Sequence, residues 1–217
     1  GAPFDRDAAG GFAVSLEAAH SHARVARVGG DGAGRAILSA LLDPLGAHPA
    51  AYGFVRGRSI AHNAAAHVGR KVVVNGDVAN CFPSVRWPLV DAALRRDFAG
   101  ELSATAIGLI VDLCTARGGL PIGAPTSPAL LNRVLLLSDG ILTREAARRD
   151  CVYTRYADDL TFSGDGRAVE MLGVAKGVLG RIGLSLDPRK TNIFRRGRHQ
   201  MVTGLVVNEQ VSVPRRL

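Results

Sequence analysis

Acidic side chains are in deficit in this chain: 19 Asp and Glu stand against 27 Lys and Arg, a formal net charge of +8 over 217 residues. Most of these charges must lie at the surface of any reasonable fold, so a polyanion is the simplest partner. Cysteine is scarcer still, with Cys81, Cys114 and Cys151 alone. An odd number, widely spaced and without a CxxC pair, suggests neither a disulfide framework nor a zinc site and fits a reducing cytosol. No window approaches the roughly 18 uninterrupted apolar residues that cross a bilayer. The start, GAPFDRDAAGGF, lacks a basic segment leading into an apolar core, so a secreted or membrane protein is not expected and a cytoplasmic one is. The missing initiator Met reads as a processed, truncated or engineered start, with residues 1–12 expected to be loosely ordered. Internal repeats and low-complexity linkers are also lacking. What is present, 47% hydrophobic residues, can fill the core of one domain or two interlocked lobes.

Helical periodicity runs from Val14 to Ala26 and from Arg35 to Leu45, on either side of a Gly-rich break, GGDGAG. Ser59–His67 predicts a short helix, and Pro88–Phe98 and Ser103–Cys114 predict two amphipathic ones, with Pro88 in a first turn. Gly118–Pro128 reads as an extended loop opening a long apolar helix, Ala129–Ala147, which should be largely buried. Val169–Ile182 predicts another helix, ended by Gly183, and Leu184–Leu186, Thr191–Phe194 and Val202–Val207 predict strands. Helices and strands alternate irregularly, which favours an α+β fold with an antiparallel sheet over a doubly wound parallel one.

Two segments carry the chemistry. In YTRYADDLTFSG, Tyr153 to Gly164, strand-forming residues flank Asp158 and Asp159, which predicts a β-hairpin with acid at its tip. An adjacent Asp pair by itself is an ordinary solvated loop charge. The second segment, Lys71 to Asp77, is a β-branched run that delivers Asp77 at the end of a buried strand, before a turn at Pro83. Three carboxylates from two strands suit two hard cations about 4 Å apart, the arrangement used in phosphoryl transfer onto nucleic-acid chains.

These segments resemble reverse transcriptases, and among them the bacterial retron type. YTRYADDLTFSG resembles the family's active-site hairpin, NGDVANCFPSV the strand with the other catalytic Asp, and LPIGAPTSP the loop that supports template and incoming nucleotide. AYGFVRGRSIAHNAAAHVGRK carries the GF and GRSI elements and the retron NAxxH signature, Asn63 to His67, and VTGLVVN carries the retron VTG triplet. The match runs in family order from about Leu41 to Leu217. It implies a right-hand polymerase palm with mainly helical fingers: shortened fingers over 1–72, palm over 73–86 and 120–208, intervening helices over 87–119, and the start of a truncated thumb over 209–217.

The resemblance also implies roles. Asp77, Asp158 and Asp159 would hold two Mg²⁺ ions, with Mn²⁺ as a substitute, and the Val78 carbonyl would add a ligand. Lys190 would protonate the pyrophosphate leaving group, or be a solvated surface lysine. Phe82 would lie against the sugar of the incoming nucleotide and exclude a 2′-hydroxyl, or be a core residue. Gly123, Ala124 and Pro125 would let the nucleotide and template approach closely. The chain is much shorter here than the family, so either Arg27 and Arg35 hold the triphosphate in a compressed fingers hairpin or that clamp is partly absent. Asn63 and His67 would contact RNA or fill the fingers, a metal role being disfavoured for His67. Arg56, Arg58, Arg70, Lys71, Arg189, Lys190, Arg195, Arg196, Arg198, Arg215 and Arg216 are candidate phosphate contacts, each alone an ordinary surface charge.

The implied partners are a structured noncoding RNA that serves as template and primer, the RNA–DNA duplex, deoxynucleoside triphosphates and a toxic effector protein guarded in phage defence, with no membrane. Ile122 departs from the family, which usually has Gln there. Shortened fingers and a truncated thumb leave a second reading, a catalytically weak RNA-binding scaffold with a polymerase palm. A group II intron or abortive-infection reverse transcriptase is a third.

Overall fold

A computed structural model of the chain describes residues 31–214. The helix expected over Val14–Ala26, the loosely ordered start and the candidates Arg27, Arg215 and Arg216 lie outside the described residues. The chain forms two compact units, Gly1–Ala47 with Phe82–Val134, and His48–Cys81 with Leu135–Leu217.

The second unit is built on a four-stranded antiparallel sheet. Its central strand β1, Val72–Asp77, pairs with β3, Asp159–Gly164, on one side and with β4, Asn192–Arg195, on the other, and β2, Val152–Tyr156, closes the far side of β3. Val72, Val73 and Val74 are all buried, as expected of a strand covered on both faces and not of an alternating, half-solvated one. One cover is α-helical, Met171–Gly180, entered through a 3₁₀ turn at Gly166–Glu170. On the other side Val73 joins Ala64, Val202 and Val207 in an apolar cluster, with Val68, Phe194 and Leu205 packed against it. Ala64 comes from the short helix Ile60–Ala65, whose Ser59 cap accepts a hydrogen bond from the His62 N–H at 3.2 Å.

The first unit is helical. Asp31–Ile37 continues into a π-helical turn, Leu38–Leu42, and a 3₁₀ turn, Asp43–Leu45. Trp87–Asp97 follows, with Pro88 in its first turn, then Ala104–Cys114, capped by the Ser103 hydroxyl, which accepts from Ala106 N–H. An ion cluster ties these together: Arg133 donates to both Asp97 oxygens at 2.8 Å, and Arg96 adds a further bond. Arg133 also reaches the Leu45 and Gly46 carbonyls at 3.2 Å. Burial alone would raise the Asp97 carboxyl, but the two guanidiniums hold it below its ordinary range. The long helix Ser127–Ala147 starts in this unit and ends in the other.

Several expectations are corrected. The Gly-rich break is helical from Asp31 onward. Gly34 suits a close approach, since a Cβ there would lie 2.9 Å from the Pro125 ring. Pro83 sits inside a short helix, Cys81–Ser84, instead of at an open turn. Leu184–Leu186 makes one isolated bridge, Leu186 to Val78, and no strand. Val202–Val207 is a hairpin, β5 Met201–Val202 and β6 Leu205–Val206. Its turn residues Thr203 and Gly204 have φ of 46° and 82°, the mirror-image turn that suits a tight hairpin. The apolar helix also exposes Leu137, at 61%.

Candidate active site

Asp77 ends β1, and its Cα partner across the ladder is Asp159, the first residue of β3. Between β2 and β3 only Ala157 and Asp158 form the turn, because Tyr156 already pairs with Asp159. The Val78 N–H donates to the Asp158 carbonyl at 3.0 Å, and the Asp187 N–H donates to the Asp77 carbonyl at 2.8 Å. Backbone bonds therefore fix all three acidic residues at one end of the sheet. This is the predicted hairpin with acid at its tip, beside the predicted strand-end Asp.

Crowding by surrounding protein, then the negative charges of Asp158 and Asp77, push the Asp159 carboxyl up to about 6, although the residue remains exposed. Lys190 offsets part of this repulsion. Its Nζ lies 3.0 and 3.1 Å from the two Asp77 oxygens, and that hydrogen bond and charge raise the lysine above its ordinary range. The predicted catalytic lysine is thus bonded to a predicted metal ligand. It is reached through the 3₁₀ turn Pro188–Lys190, where Asp187 caps the turn by accepting from Arg189 N–H at 2.9 Å. Behind the acids, burial and then Asp158 push the Cys81 thiol up to about 12, so it stays protonated and inert. All three cysteines are buried and free.

A buried ion pair supports the hairpin from behind. Arg155 on β2 and Asp139 on the long helix are each 1% exposed. The guanidinium donates to the two Asp139 oxygens at 2.9 and 2.7 Å and to the Ala157 carbonyl at 2.8 Å. Ala157 has a φ of 57°, which a residue with a Cβ adopts at a cost of about 1–2 kcal/mol, and the third guanidinium bond holds it there. Tyr153 adds its hydroxyl to Asp139 at 2.8 Å and stacks on Phe162. The sequence reading missed this network. Its signal was Asp139 itself, an acid within the apolar run of a buried helix that requires a cationic partner.

The GF element backs the same turn. A Cβ on Gly53 would collide with the Ala157 nitrogen, so only glycine lets the two backbones meet. Arg58 donates to the Pro49 and Ala51 carbonyls and stacks over Tyr52, while the Arg155 N–H and the Tyr52 N–H complete a parallel bridge between this segment and β2. Arg58 is thereby accounted for as a clamp on backbone carbonyls.

Residues 34–211 match the family described as reverse transcriptase (RNA-dependent DNA polymerase). The chain belongs to that family. The retron Mx162 reverse transcriptase of Myxococcus xanthus is 39% identical over 201 residues, 80% of this chain and 41% of the relative. The retron Mx65 reverse transcriptase of the same organism is 40% identical over 198 residues, 83% of this chain and 46% of the relative. The chain therefore spans less than half the length of these two reverse transcriptases. A solved structure of apo telomerase from Candida tropicalis, truncated from its C-terminal domain, superposes with a TM-score of 0.54 over 88% of this chain and 44% of that one, at 10% identity. That likeness concerns the fold alone.

The α+β class and the antiparallel sheet are as expected. The other predicted site residues distribute as follows. Asn63 and His67 are both buried in the second unit. The His67 Nδ1 lies 2.6 Å from the Ser163 hydroxyl and its Nε2 2.7 Å from that of Thr154. Burial, and to a smaller degree Arg70, lower this imidazole to about 3. Asn63 and His67 of the NAxxH signature thus face the interior here, His67 against the sheet. Phe82, Gly123, Ala124, Pro125 and Arg35 belong to the first unit. Phe82 is half-buried, Arg35 is exposed on its helix, and Gly123 has a φ of 87° with nothing within 4 Å of a Cβ position. Ile122, beside it, is 80% exposed.

No three His, Cys, Asp or Glu side chains among the described residues already converge as a ready-made set of metal donors. The donor chemistry of the sheet end nevertheless fits a hard divalent cation. Asp77, Asp158 and Asp159 offer oxygen ligands on rigid backbone, and the repulsion that raises Asp159 is what a cation relieves. No helix among the described residues is long and apolar enough to cross a membrane.

Proposed function

We propose that this chain forms the catalytic part of a retron-type reverse transcriptase, which copies a structured noncoding RNA into single-stranded DNA. The observation that carries the reading is the in-register pairing of Asp77 with Asp159, beside Asp158 and Lys190. Asp77, Asp158 and Asp159, with the Val78 carbonyl, would hold divalent cations, Mg²⁺ or in its place Mn²⁺. Such ions, when bound, supply Lewis-acid activation of the primer hydroxyl and neutralise charge on the phosphates.

In the reaction a primer hydroxyl gives up its proton to solvent, its oxygen forms a bond to the α-phosphorus of a deoxynucleoside triphosphate, and the bond from that phosphorus to the oxygen bridging to the β-phosphate breaks. Asp77, Asp158 and Asp159 stay fixed by their strand pairing, so the reacting groups are positioned by backbone and not by a loop. Lys190 releases Asp77 and gives its proton to the departing pyrophosphate. Phe82 keeps its role against the sugar, Gly123, Ala124 and Pro125 theirs beside nucleotide and template, and Arg35, with Arg27, theirs at the triphosphate. The roles of Phe82, Gly123, Ala124 and Pro125 follow from the family motifs they occupy, whereas that of Arg27 and Arg35 is assigned by their place upstream of those motifs. Priming from an RNA 2′-hydroxyl, the guarded effector and a part in phage defence in the cytoplasm belong to the same reading. Support comes from relatives named as retron reverse transcriptases.

Primer extension on an RNA template with Mg²⁺ tests this function. Incorporation should follow the template base, deoxynucleotides should be used and ribonucleotides rejected. RNA binding without incorporation on any template would instead favour the scaffold reading.

A further inference from the structure

The far end of the sheet from the carboxylates carries cations that the active site does not use. Arg195, the last residue of β4, pairs in register with Val72, the first residue of β1. Asp77 lies five residue steps along β1 from that position, roughly 17 Å along a strand. Arg195, Arg196 and Arg198 are exposed, and none has a carboxylate partner among the described residues. Of the other exposed arginines in this unit, Arg148, Arg167 and Arg189 each meet an acid within 3.0 Å, while Arg56, Arg70, Arg144 and Arg181 also have no carboxylate partner among the described residues; Arg195, Arg196 and Arg198 differ in being clustered on one loop.

The loop that bears these arginines is tightly held. The Arg196 N–H donates to the Lys71 carbonyl at 2.9 Å and the Arg198 N–H to the Arg195 carbonyl at 3.2 Å. Asn208 donates its amide to the Arg198 carbonyl at 2.9 Å and accepts from the Gln200 N–H at 2.9 Å. Gln200 is fully buried and donates back to the Lys71 carbonyl. A fixed backbone lowers the ordering cost of a phosphate contact to that of the guanidinium side chains themselves. Beside it lies an open cleft of about 260 Å³, lined by Gly69, Arg70, Lys71, Asp150, Gly164 and Asp165. Its two acids are neutralised in part by Arg167, 2.7 Å from Asp150 and 3.6 Å from Asp165, which leaves the combined surface strongly cationic.

We propose that Arg195, Arg196 and Arg198, continuing into the cleft at Arg70 and Lys71, form a second nucleic-acid contact that grips the sugar-phosphate backbone of RNA. It is separate from the site of nucleotide addition. The partner class rests on the polymerase reading, which makes RNA the polyanion at hand. Guanidiniums favour phosphate through paired N–H donors, and such contacts confer affinity without sequence preference.

The test is binding of the whole chain to a fluorescein-labelled, mixed-sequence RNA strand of about 20 nucleotides, titrated over salt without nucleotides or metal. The triple variant Arg195→Ala, Arg196→Ala, Arg198→Ala should bind about 10- to 100-fold more weakly, with the salt slope reduced by about 2. Its melting temperature should be unchanged, because these side chains are exposed and unpaired. The corresponding triple Lys variant should keep the slope. An equal-charge control, Arg144→Ala, Lys176→Ala, Arg181→Ala, should lose much less affinity. Equal losses in variant and control, unchanged binding by the variant, or no RNA binding by the parent would each overturn the proposal. So would a loss confined to polyglutamate, which would point to an acidic protein instead. Because no catalysis is read, a failure of primer extension counts against the polymerase reading alone.

Discussion

Asp77 and Asp159 face each other as Cα partners across the β1–β3 pair, and Asp159 is held protonated up to about pH 6 by crowding and by its acidic neighbours. A carboxyl raised in the folded state stabilises it at low pH, and that contribution is lost as pH rises through about 6. Without metal the folded protein therefore bears a repulsion at neutral pH. Asp159→Asn removes it. The variant should be more stable than the parent at pH 7, by about 1 kcal/mol once solvent screening of this exposed group is allowed for, and equally stable at pH 4. Urea unfolding at the two pH values measures this, and primer extension by the same variant should fall by about 100-fold or more.

Lys190 occupies both oxygens of Asp77, so a divalent cation has to compete with it. Lys190→Met should tighten Mn²⁺ binding about threefold to tenfold, read by titration of the free-ion resonance, while single-turnover extension slows by about 10- to 100-fold for want of the acid. Stability should move little, because the lysine side chain is 60% exposed and solvent screens such a pair.

Removing one partner of the Arg155–Asp139 pair leaves a buried charge uncompensated. Arg155→Met and Asp139→Asn should each cost about 3–5 kcal/mol in urea unfolding, and the double substitution should cost clearly less than the sum. A cost under about 1 kcal/mol for either would mean that the guanidinium does not hold the Ala157 turn.

His67 is neutral in the folded chain, since its imidazole is lowered to about 3. The unfolded chain takes up a proton near pH 6.5, so the stability from this group is complete above 6.5 and is lost as pH falls toward 3. Unfolding free energy should drop by about 2 kcal/mol between pH 6.5 and 5 from this residue. In His67→Gln that part of the acid sensitivity should vanish, whatever the variant's stability at pH 7.

The strand delivering Asp77 and the Asp158–Asp159 hairpin were readable because β-branched runs and a two-residue turn are local signals, and the structure places them as adjacent strands. The β5–β6 hairpin was not readable, since two-residue strands are too short to show any period. Arg155 escaped for a different reason: in VYTRY it occupies an ordinary strand position, and its partner Asp139 lies in a preceding helix. Periodicity also could not tell Arg58, which clamps carbonyls, from Arg195, which has no acidic partner among the described residues. Only the packed chain separates cations used for the fold from those left for a ligand.

The most direct test of the account is primer extension on an RNA template by the parent and by the Asp158→Ala, Asp159→Ala variant, with Mg²⁺ and labelled deoxynucleotides. Templated extension by the parent and none by the variant is the predicted result. Equal extension by both, or none by either while both bind RNA, would contradict the claim that the acids at this sheet end catalyse nucleotide addition.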